Sequence, residues 1–168
     1  VTVDQLIDFE TEFPSSQNAI TFGDATFVST DGSGIHRTTS FGGSSVRLAA
    51  QNYGGIRIEL APGWSSIGME VGELFSSVSI GTFTLLDTDN NTIDSQVMEV
   101  GYFGASPSFI GWVSDVEIGS LEFNITTGSN FETIDNVMLS TPSEVPVPAA
   151  AWLFSSALLG IVSIKRQK

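Results

Sequence analysis

From Leu6 to Leu139 apolar and polar residues tend to alternate, in short runs broken by Gly, Ser, Asn and Asp. A period of two puts successive side chains on opposite faces of an extended chain, so the pattern predicts half-buried β-strands. Runs that meet it are Leu6–Phe9, Ala19–Phe22, Ala25–Ser29, Ser45–Ala49, Gly55–Leu60, Ser66–Val71, Gly81–Leu86, Thr92–Val100, Phe109–Val113, Ser120–Thr126 and Thr133–Ser140. In Ile56-Arg57-Ile58-Glu59-Leu60 three aliphatics face one way and two charges the other, and Leu121-Glu122-Phe123-Asn124-Ile125 repeats the layout. Turn clusters recur about every ten residues, a spacing that fits an all-β antiparallel β-sandwich of the jelly-roll kind. Pro62-Gly63 and Asp89-Asn90-Asn91 read as turns, and the Gly-, Ser- and Thr-rich stretch Thr30–Ser44 as a loop crossing the sandwich.

The pattern changes at the end of the chain. Thr141–Pro148 reads as a linker, and Ala149–Ile164 is an uncharged run, apolar all round, closed by Lys165, Arg166 and Lys168. Proline at a first helical turn removes an N–H that has no partner there anyway, so Pro146 and Pro148 lead naturally into a helix. Sixteen residues give roughly 24 Å of helix against a hydrocarbon thickness of about 30 Å. Snorkelling of the basic residues and an interfacial Trp152 make up the difference. The expected organisation is a β-sandwich over residues 1–140, a linker with a motif over 141–148, and a membrane helix with a basic end over 149–168.

Order and position in this tail, from Val145-Pro146-Val147-Pro148 through Ala149-Ala150-Ala151-Trp152-Leu153-Phe154 to the basic terminus, resemble the PEP-CTERM sorting signal of Gram-negative bacteria. Val147 stands where the family's name implies Glu. The resemblance implies export, transient anchoring in the inner membrane, an exosortase as processing partner, and delivery to the cell surface or extracellular matrix. Val1-Thr2-Val3-Asp4 has neither a basic start nor an apolar core, so the expectation is that Val1 is a mature N-terminus.

Charge narrows the partners. Residues 1–143 hold 18 acids against Arg37, Arg47 and Arg57, a net of −15, and no lysine precedes Lys165. Such a surface repels nucleic acid and anionic headgroups and attracts divalent cations. With no cysteine, disulfides play no part.

Catalytic sets are poor. His36 is the single histidine, no GxSxG elbow accompanies it, and no second nitrogen or sulfur ligand exists for zinc. It reads as an exposed loop residue. The acid pairs Asp8/Glu10 and Glu70/Glu73 suit glycoside hydrolysis in kind, but acids are abundant enough for such pairs to arise by chance. Asp87-Thr88-Asp89-Asn90-Asn91 begins like a calcium-binding EF-hand loop, yet Thr92 stands at the glycine position and Met98 at the final glutamate, so it reads as a hairpin turn. No enzymatic activity is expected.

Ile7-Asp8-Phe9-Glu10 near the start and Thr133-Ile134-Asp135-Asn136-Val137-Met138-Leu139 at the close are similar to the ends of galactose-binding-like jelly rolls, a fold many carbohydrate-binding modules share. That resemblance implies a structural calcium held by Glu10 and Asp135, with Asp31 as a looser candidate and backbone oxygens around Asp24–Gly32 in support. Asp135 and Asn136 fixing a strand entry through backbone hydrogen bonds is the structural alternative. Trp64, Tyr53 and Tyr102, each in a Gly- or Pro-flanked stretch, are the candidate sugar-stacking aromatics, while Trp112 and most Phe residues read as core. The expected function is that of an exported surface or matrix protein associated with exopolysaccharide in a biofilm. A calcium-dependent carbohydrate-binding module, or a subunit self-assembling into fibres through edge strands, are the alternatives.

Overall fold

In the computed structural model residues 3–10, 17–38, 47–50, 54–73, 78–102, 107–127 and 131–141 are described. They form twelve strands: β1 (Gln5–Ile7), β2 (Ala19–Phe22), β3 (Ala25–Ser29), β4 (Ile35–Thr38), β5 (Arg47–Ala50), β6 (Ile56–Leu60), β7 (Ser66–Glu73), β8 (Val78–Asp87), β9 (Thr92–Gly101), β10 (Ser108–Val113), β11 (Ile118–Thr127) and β12 (Glu132–Ser140). Two six-stranded antiparallel sheets result. The first runs β10-β7-β12-β5-β4 with β1 also paired to β12, and the second runs β2-β3-β6-β11-β8-β9.

Alternation supplies the core as expected. Ile56 and Ile58 of β6, Leu121 and Phe123 of β11, and Phe83 and Leu85 of β8 face Ile67, Met69 and Val71 of β7, and all are buried. Each such side chain withdrawn from water contributes about 1.5–3 kcal/mol. Phe83 and Phe123 stack with centroids 4.5 Å apart. Phe9, held at φ 57°, reaches the core edge-on to Phe22 and Phe27 at 5.4 and 5.1 Å.

The two lateral sides of the sandwich differ. On one, Gln17 and Ile35 exchange backbone hydrogen bonds of 3.2 and 2.6 Å, tying the chain before β2 to β4. On the other, β9 and β10 are edge strands of different sheets, and the Trp112 indole N–H donates to Asp94 Oδ2 at 2.8 Å across the gap.

The most consequential irregularity lies in β12. Before it, Ile134 pairs with Val71 and Asp135 with Glu70; after it, Met138 pairs with Gly68 and Leu139 with Ile67. One extra residue here forms a bulge, and Asn136 takes φ 49°. The bulge shifts the side-chain parity, which lets Ile134 and Leu139, one even and one odd, both face the core. Asn136 tolerates the left-handed conformation, and its amide also donates to Glu70 Oε2 at 3.0 Å. Beyond the strand Asp4 Oδ2 accepts both the N–H and the hydroxyl of Thr141, at 2.7 and 2.8 Å.

Eleven strands fall where alternation puts them, with ends shifted by up to a few residues. The exception is β4: Ile35–Thr38 is a strand, not part of a crossing loop, and pairs in register with β5. His36 is thus a half-buried strand residue opposite Ala49 rather than an exposed loop histidine. Four residues between glycines and serines are too few to show a period, and it is Ile35, fully buried, that draws them into the sheet. Asp87–Asn91 is indeed a turn, with Asp87 Oδ1 accepting from the N–H groups of Asp89 and Asn91. Among the described residues no helix is long and apolar enough to cross a membrane. The linker after Thr141 and the expected helix over 149–168 lie outside the described residues.

The bulge yields a first prediction. Asn136→Ala places an ordinary side chain at positive φ and removes the bond to Glu70, and the expected loss is about 1–2 kcal/mol in urea unfolding. Asn136→Gly relieves the backbone but not the lost bond, and is expected to cost less. Equal losses would locate the effect in the Glu70 contact alone.

Candidate functional site

The outer face of the first sheet carries the candidate site. Along β7 the outward residues are Ser66, Gly68 and Glu70; along β10 they are Phe109, Gly111 and Val113. Gly68 and Gly111 are register partners, so the two middle positions of neighbouring strands lack side chains. Met138 pairs with Gly68 from the other side, and Leu6 pairs with Met138. The result is a groove of about 500 Å³ lined by Val3, Ser66, Gly68, Phe109, Gly111, Val113, Met138 and Ser140, with Ile67 and Trp112 below.

Phe109 is the prominent aromatic of this face. It is 60% exposed although large and apolar. Its ring leans across the missing side chain of Gly68: a Cβ there would come within 2.9 Å of Phe109 Cζ. The ring tip therefore lies over the Gly68 backbone while most of the side chain stays open to solvent. Polar groups stand at the ends. Ser66 and Ser140 pair in register at one end, and Glu70, the register partner of Phe109 and bonded to Asn136, lies just beyond the lining at the other.

A second cluster lies inside one end of the sandwich. Glu132 and Glu73 are directly opposed in register on the core side of β12 and β7, both essentially inaccessible. Glu132 Oε1 accepts the Ile125 N–H at 2.6 Å, while Oε2 is buried with no hydrogen-bond partner among the described residues. Burial raises the Glu132 carboxyl to about 7, and the nearby charges of Asp31 and Glu73 push the same way. Asp31 itself is held below the usual carboxylate range by hydrogen bonds from Ser33 and Ser29.

These placements revise the sequence candidates. Trp64 is not a loop platform: it is only 8% exposed and belongs to the core cluster, its backbone carbonyl accepting the Ile118 N–H. The turn Pro62-Gly63 precedes it as expected, but the next residues turn inward. Tyr102 is half-buried and bridges to Glu73, three residues along β7 from the Glu70–Phe109 level. Tyr53 lies outside the described residues, as do Val145, Pro146, Val147, Pro148, Lys165, Arg166 and Lys168.

The expected calcium ligands are divided. Ile7 pairs with Val137, so Glu10 and Asp135 lie three and two residues beyond one register pair, where the ends of β1 and β5 approach each other along β12. Asp135 is 2% exposed and accepts the Asn136 N–H at 2.8 Å; Glu10 is exposed. Asp31 instead stands by Glu132. Among the described residues no three His, Asp or Glu side chains converge in a way that could hold an ion, so Glu10, Asp135 and Asp31 do not form one centre. Phe109 is the site residue that alternation alone does not single out. Its signal is present in Phe109-Ile110-Gly111-Trp112-Val113, where a buried Trp112 requires Phe109 to point outward.

No protein-family model matches the chain, and no curated protein does. Solved structures do. The CBM22-1 xylan-binding domain from Paenibacillus barcinonensis is 12% identical with a TM-score of 0.50, over 84% of this chain and 97% of that one. The K3 cleaved adhesin domain of Lys-gingipain from Porphyromonas gingivalis is 15% identical with a TM-score of 0.51, over 84% and 100%. The CBM22-1 and GH10 modules of a Clostridium thermocellum xylanase give 10% and 0.52, over 84% of this chain but 29% of that one. The chain spans less than a third of the xylanase and of two other long chains that it matches. At these identities the likeness is one of fold, a two-sheet antiparallel β-sandwich.

The buried acid sets a pH dependence. Because the folded Glu132 lies near 7, above its ordinary 4.5, its contribution is fully present below about 4.5 and is lost as pH rises through 7. The loss is on the order of 3 kcal/mol. Asp4, Asp31, Asp87 and Asp94 are all lowered by hydrogen-bond donors, so their contributions disappear as pH falls below the ordinary aspartate range. Stability is expected to peak between these windows, near pH 5. Thermal melts of Glu132→Gln, which keeps an acceptor for Ile125, should lose the decline between pH 5 and 8; a decline that persists would assign it to another group.

Proposed function

We propose that this chain is a non-catalytic glycan-binding module, presented at the cell surface or in an extracellular, exopolysaccharide-rich matrix. The observation that carries the reading is Phe109, an exposed ring laid on a glycine floor within a groove on one sheet face. A sugar's C–H face stacks on such a ring while its hydroxyls reach polar groups at the groove's ends. Support comes from the fold, shared with a xylan-binding domain and an adhesin domain, although fold by itself assigns no ligand.

The tail extends the proposal to location. Residues Val145–Pro148, the apolar run behind them and the basic end would serve as an exosortase sorting signal, anchoring the protein in the inner membrane until cleavage. Mass spectrometry of protein recovered from the producing cells is expected to find a C-terminus near Pro148; surface protein that retains Lys168 would refute the processing step.

Calcium is proposed as a structural ion only for the Glu10 and Asp135 region, where their carboxylates and neighbouring backbone carbonyls would supply oxygen ligands. Its removal by EDTA is expected to lower the melting temperature of the wild type and not that of Asp135→Asn. An unchanged wild-type melt would remove calcium from the proposal.

For the groove, Phe109→Ala is expected to weaken glycan binding at least tenfold in affinity electrophoresis. Urea unfolding should change by no more than about 0.5 kcal/mol, as for other exposed positions. Full binding by this variant would exclude the groove.

A further inference from the structure

We infer that the groove selects neutral glycans bearing methyl or acetyl groups over fully hydroxylated sugars and over uronic acids; this rests on the glycan-binding reading above. The selectivity arises from where the groove keeps its polar atoms. Ser66 and Ser140, partners in register, stand at one end. Glu70, already accepting from the Asn136 amide, stands at the other. Ser66 and Glu70 are four residue steps apart on β7, roughly 13 Å of strand. Between them Gly68, Gly111, Phe109 and Met138 present carbon and main chain and no polar side chain. The indole N–H of Trp112, beneath the floor, is committed to Asp94.

A hydroxyl turned toward this middle section gives up its water partners and finds no replacement, a penalty of about tenfold in affinity per group. A 6-deoxy carbon or the methyl of an O-acetyl group buries apolar area in the same place and gains about fourfold. The two effects act in the same direction, so substitution at one sugar position is enough to decide between otherwise identical chains.

Charge excludes the uronates. Residues 1–143 carry 18 acids against three arginines, yet none of the ten groove-lining residues is ionisable. Glu70 flanks the floor, and Asp135 is its register partner on β12. A polyanion would be repelled by the domain as a whole and would meet no cation in the groove.

The test is affinity electrophoresis of the full chain through gels containing three probes: acetylated galactoglucomannan, the same polymer after alkaline deacetylation, and polygalacturonate. Retardation should be strongest with the acetylated polymer, at least fivefold weaker in apparent affinity after deacetylation, and absent with polygalacturonate. Phe109→Ala, checked for folding by its melting curve, should lose the preference for acetylated polymer. Equal or stronger binding to the deacetylated polymer, or binding to polygalacturonate, overturns the selectivity and leaves glycan binding standing. No retardation by any of the three overturns both.

Discussion

The register of β12 against β7 is the constraint on which the other features depend. It sets Glu132 opposite Glu73 inside the sandwich, Asp135 opposite Glu70, and Met138 opposite Gly68 at the groove. A slip of one residue would exchange the two faces of the strand and bring polar side chains into the core. The bulge at Asn136 is part of this constraint. Without its parity shift the aliphatics on either side of it could not all point inward, and Met138 and Ser140 would not line the outer groove. The same strand is flanked on its other side by two short strands, with β1 meeting residues 137–139 and β5 meeting 133–134. Asp135 and Asn136 occupy the interval between them. A polar pair at that interval is reasonable, because backbone groups left between two strand ends need local partners.

The buried acids show what the sheet geometry tolerates. Glu132 spends one oxygen on the Ile125 N–H, fixing the end of β11 against the start of β12. The cost is a carboxyl that ionises only near neutrality. A hydrophobic residue would pack there more cheaply but would leave that N–H without its acceptor. Glu132 therefore behaves as a backbone cap that is comfortable when protonated. This assigns it a structural role distinct from the groove, which lies on the opposite face of the same sheet.

Much of the fold is legible in the sequence because most strands have one wet face. Ile56–Leu60 and Leu121–Ile125 declare their orientation residue by residue, and both are found as paired neighbours, with Glu122 opposite Arg57. Features set by long-range pairing are less legible. Ile35–Thr38 is too short to show a period, and its strand exists because β5 is there to pair with it. The jelly-roll resemblance adds Asp31 as a looser companion to Glu10 and Asp135, whereas the β3–β4 turn carries it to Glu132. Trp64 comes directly after a turn, but the side chain beyond a turn is placed by the core it enters. Phe109 is hidden by its company: a run of aromatics and aliphatics on an edge strand reads as interior until one member, here Trp112, fixes which parity faces in.

The distribution of charge links the groove to the rest of the molecule. In a chain with so many acids and so few cations, an uncharged surface has a cost in solubility, since apolar patches promote association. On the second sheet Arg57 lies within 3.5 Å of Glu59 and 3.2 Å of Glu122, and the exposed Val78 and Val97 stand at separate points along β8 and β9. Exposed apolar side chains on the first sheet are instead gathered on one strip, Val3, Leu6, Phe109 and Val113, around a floor of two glycines. The sheet itself sets part of that floor, because a Cβ at Gly111 would come within 3.3 Å of the Gly68 Cα and the Ile67 carbonyl oxygen on β7. A Cβ at Gly68 would displace the Phe109 ring. The glycine pair and the ring are thus coupled: Gly111 lets β10 lie close to β7, and Gly68 leaves the space that the Phe109 ring covers.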